Sequence, residues 1–426
     1  MKDSKFNRRD FLKTGSLGAL GLLAGSAIDL TAQPTPQRAT DQPEEPVGPP
    51  INCAIIGVGA WGRELIGILS ATPGAIVHTV CESYPAYLRR ATRAAPDAKT
   101  TDDYREVLDD AEVQAVFIAT PSHQHREIAI AALEAGKHVY CEAPMATTIE
   151  DARAIAKAAQ SAEGQIFQVG QQFRAAPQHL HVLQFVRTGA LGTFLSGRAQ
   201  WNKKESQRRV SPNAEREKEL NWRLNRETSL GLIGEIGIHQ VDVASWFFNA
   251  PPVAVTGFGD TLFWKDGRNV PDTIQAVFEY PNGVNFTYSA TLGNSYDLNN
   301  EVFQGSDGSI LLRDNLAWMF REPDAPLLGW EVYARKDAFF QQTGISLVAD
   351  ATKLLAQGVD PASGAVEGDA PIYDALEDFL NCIRESRKPY ASYKEGFEAV
   401  VTAVKANEAI LEKKRVTYDD QSFEVG

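Results

Sequence analysis

The stretch that most restricts the fold is INCAIIGVGAWGRELIGIL, residues 51–69. A short apolar run is followed by Gly57-x-Gly59-x-x-Gly62 and then by apolar residues at helical spacing. Three glycines at these places suit a chain that turns sharply, lets backbone amides approach a ligand, and packs its helix close to the strand it has just left. The helix start carries partial positive charge and unpaired N–H groups, so the ligand is anionic and a diphosphate fits. Gly57, Gly59 and Gly62, with Trp61 inside the turn, are therefore expected to hold a dinucleotide.

The following segments extend the same pattern. AIVHTVCE reads as a second strand ending in Glu82, twenty residues after Gly62. An acid there accepts hydrogen bonds from a ribose diol and repels a 2'-phosphate, which favours NAD over NADP; Arg89 and Arg90 lie close in sequence and temper that preference. VQAVFIATPSHQH reads as a buried strand that breaks at Thr120-Pro121, HREIAIAALEAG as a short helix, and KHVYCE as another strand. Strands alternating with helices imply a parallel, doubly wound sheet. Ligands bind at the carboxyl ends of such strands, so Thr120, Pro121, Glu142 and Pro144 are expected to line the groove. His125 is expected in a polar role near the ligand, and His123 as a surface or structural residue.

A chain of 426 residues exceeds one ordinary core, and two domains with extras are expected. The formal charge of -13 argues against nucleic acid as a partner. Cys53, Cys81, Cys141 and Cys382 lack CxxC spacing and read as buried free thiols, so no metal site is expected. At the start, NRRDFLKTGSLGALGLLAGSA places Arg8 and Arg9 before a glycine-rich apolar run too short for a stable membrane span. It resembles a twin-arginine export signal, which implies passage through the twin-arginine machinery and a periplasmic or exported location. Residues 1–30 are assigned to this signal, with cleavage after Ala27 or Ala32. Residues 31–50, rich in proline and polar side chains, read as an extended tether.

The glycine turn, ATPSHQH, GKHVYCEAP, VGQQFRAAP and GEIGIHQVD, in this order, resemble the Gfo/Idh/MocA oxidoreductase family, over roughly residues 51–415. The resemblance implies a Rossmann domain, placed at 51–172, and an α/β domain at 173–426 whose large, open, mostly antiparallel sheet supports a homo-oligomer, a dimer or tetramer. It also implies NAD or NADP as cofactor and sugars or polyols as substrates. In the family the corner after the third motif is usually Glu-Lys-Pro, and its lysine takes part in binding and proton transfer. Here the corner is Glu142-Ala143-Pro144, so that role does not carry over to position 143.

Acid–base chemistry is therefore sought in GLIGEIGIHQVDVASWFF, residues 231–248. Glu235, His239 and Asp242 at i, i+4 and i+7 are expected on one helical face. Oxidation of a secondary alcohol needs a base for the hydroxyl proton, and histidine titrates nearest to working pH. His239 is the expected base, oriented by Glu235; the pair matches the acid and histidine of the family's Asp-x-Gly-x-His pattern, with a glutamate one methylene longer. Upstream, residues 200–229 read either as a solvated loop or as a sugar-binding loop in which Trp201 or Trp222 stacks on a ring and Lys203, Lys204 or Arg223 reaches hydroxyls. Arg174 matches a family position near the active site, and one of these cations stands in for the missing lysine. Asp242, Arg174, Trp222 and Arg223 are thus the expected substrate contacts. Later apolar runs punctuated by Pro-Asn-Gly and Gly-Ser-Asp-Gly read as antiparallel hairpins, and two helical segments near the end should pack back on the body.

Three functions fit these readings. The first is an NAD-dependent sugar, polyol or glycoside oxidoreductase with a tightly bound, internally recycled cofactor. The second is an NAD-dependent glycosidase or lyase that works by transient oxidation and elimination, and the third a catalytically weak, cofactor-binding sugar sensor or scaffold.

Overall fold

In the computed structural model, residues 48–339, 342–349 and 370–426 are described. The export signal and all but the last three residues of the tether lie outside them.

The first sheet follows from buried apolar runs. Strands β1 (Ile51–Ile56), β2 (Ala75–Cys81), β3 (Lys99–Thr101), β4 (Ala115–Ile118), β5 (His138–Cys141) and β6 (Phe167–Val169) form one sheet in the order β3-β2-β1-β4-β5-β6. Every pairing is parallel. The crossovers carry helices α1 (Ala60–Ala71), α2 (Pro85–Ala94), α3 (Tyr104–Asp109), α4 (His125–Glu134) and α5 (Ile149–Ser161). The chain winds one way from β1 to β3 and the other way from β4 to β6, so β1 and β4 flank the crevice where such sheets bind ligands.

Helix α6 (Pro177–Arg187) leads into β7 (Phe194–Asn202), which sits in the middle of the second sheet. Short helix α7 (Ala214–Leu220), a π-turn at Ile233–Gly237 and helix α8 (Ile238–Phe248) follow. Strands β8 (Ala254–Asp260), β9 (Thr273–Glu279), β10 (Asn285–Thr291), β11 (Asn299–Gly305), β12 (Gly308–Arg313), β13 (Leu316–Arg321), β14 (Lys336–Ala338) and β15 (Thr343–Leu347) complete the sheet with β16 (Arg415–Thr417). The order is β14-β15-β13-β12-β11-β7-β10-β9-β8-β16, antiparallel throughout except where β7 meets β10. The hairpin runs fall where the turn residues place them. Strand β7 has no counterpart in the sequence reading.

The two closing helices, α9 (Pro371–Glu385) and α10 (Tyr393–Glu412), join the layers. On α9, Ile372, Leu376, Phe379 and Leu380 enter the core that holds Ile55, Leu65, Phe117 and Tyr140. Phe379 meets the rings of Phe117 and Tyr140 edge-on at 5.3 and 5.7 Å. A helix from the end of the chain thus completes the first sheet's packing. Helix α10 begins with a Ser392/Glu395 capping box and packs against α5 and β8. All four cysteines are free and buried, as expected.

Candidate active site

The glycine turn has the geometry its spacing predicts. Gly57 adopts φ +89°, and a Cβ there would stand 2.7 Å from the Thr120 backbone nitrogen. At Gly62 a Cβ would fall 2.0 Å from the Gly57 carbonyl, so helix and turn are in contact. At Gly59 a Cβ would meet nothing within 4 Å, which leaves the turn's mouth open for a ligand. Glu82 stands just past β2 and accepts the Val58 N–H at 3.1 Å and the Tyr84 N–H at 2.9 Å. Burial raises its pKa, and these bonds oppose the rise.

At the carboxyl end of β4, Thr120 and Pro121 turn into a short 3₁₀ segment, and at the end of β5 Glu142 is followed by a cis Ala143–Pro144 bond. His125 ties these corners together: Nδ1 lies 3.0 Å from the Pro144 carbonyl and Nε2 3.0 Å from that of Thr120. Both nitrogens are occupied by backbone, and burial pushes the pKa down to about 4. His125 therefore braces the loops. Glu142 is different. Burial pushes its pKa up to about 7, against hydrogen bonds from Trp61 and the Ala143 N–H and the nearby charge of Arg223. Its Oε1 is buried with no partner, as are Thr120 Oγ1 and both side-chain polar atoms of Gln171, just past β6.

The second layer brings Glu235 to the same end of the first sheet. Its carboxylate accepts from Ser229 at 3.1 Å and from Ser122 at 3.3 Å, and Arg223 Nε lies 3.6 Å away. Burial raises the Glu235 pKa, and Arg223 is the largest opposing influence. The Arg223 guanidinium lies 4.3 Å over the Trp222 ring. Trp222 is 8% exposed and has the His123 ring 6.1 Å away, so its face is covered by arginine and it offers no open stacking platform. Lys203 pairs with Glu205, and Lys204 lies over Phe263. Arg223 is thus the expected cation that lies beside both buried carboxylates.

The expected single face of Glu235, His239 and Asp242 is not what forms. The π-turn at Ile233–Gly237 breaks the 3.6-residue period between Glu235 and the later residues. His239 makes no hydrogen bond to Glu235: its Nδ1 is buried without a partner, its ring meets Phe173 edge-on at 6.1 Å, and burial pushes its pKa down to about 4. Asp242 forms a two-pronged pair with Arg174, Nε to Oδ2 at 2.8 Å and Nη2 to Oδ1 at 2.9 Å. This pair, with Trp246 under the guanidinium, lines a cavity of about 250 Å³ between α8 and α10 that none of the other site residues borders. Arg174 and Asp242 therefore hold each other, apart from the Glu142 and Glu235 cluster. Sequence reasoning missed Ser122, Ser229 and Gln171; only the position of Ser122 and Gln171 just beyond strand ends marked them.

Among the described residues, His78, Asp110 and Glu112 are close enough to share a cation. Lys99 Nζ already lies 2.9 Å from both carboxylates, which makes the group a salt-bridge cluster.

Fold and site together define a dinucleotide-dependent oxidoreductase. Residues 51–171 match the oxidoreductase family with an NAD-binding Rossmann fold, and residues 179–311 match the GFO/IDH/MocA C-terminal domain. The chain belongs to the Gfo/Idh/MocA oxidoreductase family. It is 26% identical over 387 residues to levoglucosan dehydrogenase from Pseudarthrobacter phenanthrenivorans, covering 82% of this chain and 94% of that one. It is 29% identical over 265 residues to inositol 2-dehydrogenase 2 from Saccharopolyspora erythraea, covering 62% and 73%. The fold resembles that of levoglucosan dehydrogenase solved with NADH and levoglucosan, with a TM-score of 0.70 at 22% identity over 86% of this chain and 99% of the other.

Proposed function

We propose that the protein oxidises a secondary hydroxyl of a sugar or polyol by hydride transfer to NAD, with His239 taking the hydroxyl proton and Arg223 supplying the positive charge. The residues fit the cofactor: the open mouth at Gly59, Glu82 at the end of β2, and the unpartnered atoms of Thr120, Glu142 and Gln171 offer a groove with polar groups still unsatisfied. When bound, NAD supplies the hydride acceptor. The substrate class is supported by the levoglucosan and inositol dehydrogenases among the relatives.

The observation that carries the proposal is the placement of His239, whose Nδ1 is buried without a hydrogen-bond partner and whose pKa burial lowers to about 4. An imidazole that is neutral at physiological pH offers a ring nitrogen lone pair to the hydroxyl proton. Arg223 cannot take this part, because a guanidinium keeps its proton. Its fixed charge suits the oxyanion that develops as the hydroxyl is deprotonated. The lysine's two duties are thus divided: charge to Arg223, proton transfer to His239. His239→Ala should lower turnover by about 10²- to 10⁴-fold while NADH titration shows unchanged binding; loss of binding with turnover intact would assign the proton to another group.

The proposal extends to location. The paired arginines at 8 and 9 support export of a folded protein, and a dinucleotide groove is of use outside the cytoplasm only if the cofactor travels with the chain. NAD is then retained and restored within each cycle.

A further inference from the structure

We propose that residues 203–221, anchored on the second sheet, form a clasp over the adenosine end of the dinucleotide groove, in which Arg216 and Arg209 face Tyr84, Glu82 and Arg63 of the first domain and slow the cofactor's departure. The proposal rests on the reading of the protein as a cofactor-retaining oxidoreductase and names the residues that do the retaining.

The clasp is fixed at both ends. The Lys203 N–H donates to the Thr291 carbonyl at 3.0 Å and the Lys204 N–H to Ser295 at 2.7 Å, both on the second layer. Asn221 closes the far end, accepting the Arg209 N–H at 2.7 Å and donating to the Arg209 carbonyl at 3.0 Å. Arg208 pairs with Glu217 across it. A segment held this way presents its remaining arginines in set directions.

Those arginines cross to the first domain. The Arg216 guanidinium lies 4.7 Å over the Tyr84 ring and donates to the Ser83 carbonyl at 3.4 Å. Tyr84 in turn donates its N–H to Glu82, the residue whose place after β2 suits a ribose diol. Arg216 therefore lies over the loop that follows Glu82, at the adenosine end of the groove.

Arg209 adds the second part. Arg63, the residue after the last glycine, has its pKa lowered first by burial and then by the charge of Arg90; Tyr87 and Glu64 oppose this, and Arg209 adds a smaller lowering. Arg63 and Arg90 also flank the Tyr87 ring, at 5.5 and 5.8 Å. Arg63 and Arg90 thus stand on the two sides of Tyr87 next to the open turn, and Arg209 of the clasp adds its charge to theirs. A diphosphate bound at the turn would bring negative charge to these cations. Two of the cations come from the first domain and one from the clasp. Release of the dinucleotide then requires the clasp to lift or its arginines to lose that counterion.

The test is the rate at which bound NADH leaves, followed by its fluorescence after mixing with excess NAD, in the parent protein and in Arg216→Ala, Arg209→Ala and Arg216→Lys. The clasp predicts release at least tenfold faster in both alanine variants, with melting temperatures of the cofactor-free proteins within a few degrees of the parent. Arg216→Lys, which keeps charge but loses the flat stacking face, should fall between. Raising salt should speed release from the parent more than from Arg209→Ala. Release rates equal to the parent's in Arg216→Ala and Arg209→Ala would overturn the clasp. If Arg216→Ala does not fold, Arg209→Ala and Arg216→Lys decide alone, and unchanged rates in both overturn it. Rapid exchange by the parent protein would instead refute retention of the cofactor, and the ratio of variant to parent rates would still judge the clasp.

Discussion

At the scale of single residues, two buried groups titrate in opposite directions and can be told apart by pH. Glu142 has its pKa pushed up to about 7 in the folded protein, against an ordinary value of 4.5. Between those pH values the folded state holds a proton that the unfolded state has released, so this carboxyl makes stability fall as pH rises through that window. Its full effect is at most about 3 kcal/mol, from about 1.4 kcal/mol per pH unit of difference. Glu142→Gln removes the titration, so thermal melts should show the variant gaining on the parent from pH 4.5 to pH 7 and no further above it. His239 acts the other way: its folded pKa is about 4 against 6.5, so it makes stability fall as pH drops from 6.5 towards 4; His125 carries the same shift, and replacing His239 removes only its own share of that slope. Arg223 connects the site electrostatically, since it opposes the rise of both Glu142 and Glu235. Arg223→Leu should therefore move the Glu142 midpoint above 7 and lower turnover by about 10- to 100-fold, read as an upward shift in the pH–rate profile that Arg223→Lys partly reverses. A loss of turnover with the profile unmoved would make Arg223 a packing residue.

At the scale of elements, what was legible from the sequence was what is local. Gly59 and Gly62 act within one strand–turn–helix unit, and Glu82 closes the next strand on the Val58 N–H, so their spacing carried their geometry. The Ser122–Glu235 contact joins residues 113 apart, and no local pattern announces it. Strand β7 escaped for a packing reason: its inward positions include Gly197 and Ala199, and a Cβ at 197 would stand 2.9 Å from Phe286 and 3.0 Å from Phe248. Large rings from α8 and β10 fill the space that apolar side chains of β7 would occupy, which erases the alternation that identifies a strand. The π-turn hid in the same way. A run of glycines and isoleucines reads as ordinary helix, yet a Cβ on Gly234 would fall 2.2 Å from Leu230 Cβ and one on Gly237 would fall 2.7 Å from the Tyr288 ring. Gly237→Ala should thus push the start of α8 off the sheet. We expect a loss of about 1–3 kcal/mol in chemical denaturation, and a fall in turnover larger than the fall in NADH affinity, because His239 moves while the glycine turn does not. A variant as stable and active as the parent would show that the π-turn tolerates the added methyl.

At the scale of the whole molecule, closure of the groove and proposed export constrain the reaction together. The first sheet supplies the glycine turn and the second layer supplies Arg223, His239 and the clasp, so site and cofactor groove exist only where the two meet. A cofactor enclosed in this way and carried out of the cytoplasm has no soluble pool to exchange with. With association at about 10⁶ per molar per second, retention for hours needs dissociation near 10⁻⁴ per second, hence a Kd around 10⁻¹⁰ M, or about -14 kcal/mol. That affinity calls for a ligand held from both sides, as the clasp and the glycine turn would hold it. Under the proposed retention the bound cofactor would be restored within each cycle, so the net reaction would be redox-neutral: one sugar oxidised and another carbonyl reduced, or a transient oxidation reversed after bond cleavage. Denaturing the protein purified from the periplasm should release close to one NAD per chain, and added NAD should not stimulate turnover. Paired substrates, one a sugar alcohol group and the other a carbonyl, or one cleavable glycoside, should sustain many turnovers with no change in absorbance at the NADH band at steady state. A protein that emerges empty and turns over only with millimolar external NAD would reduce the enzyme to an ordinary dehydrogenase and remove the argument for retention.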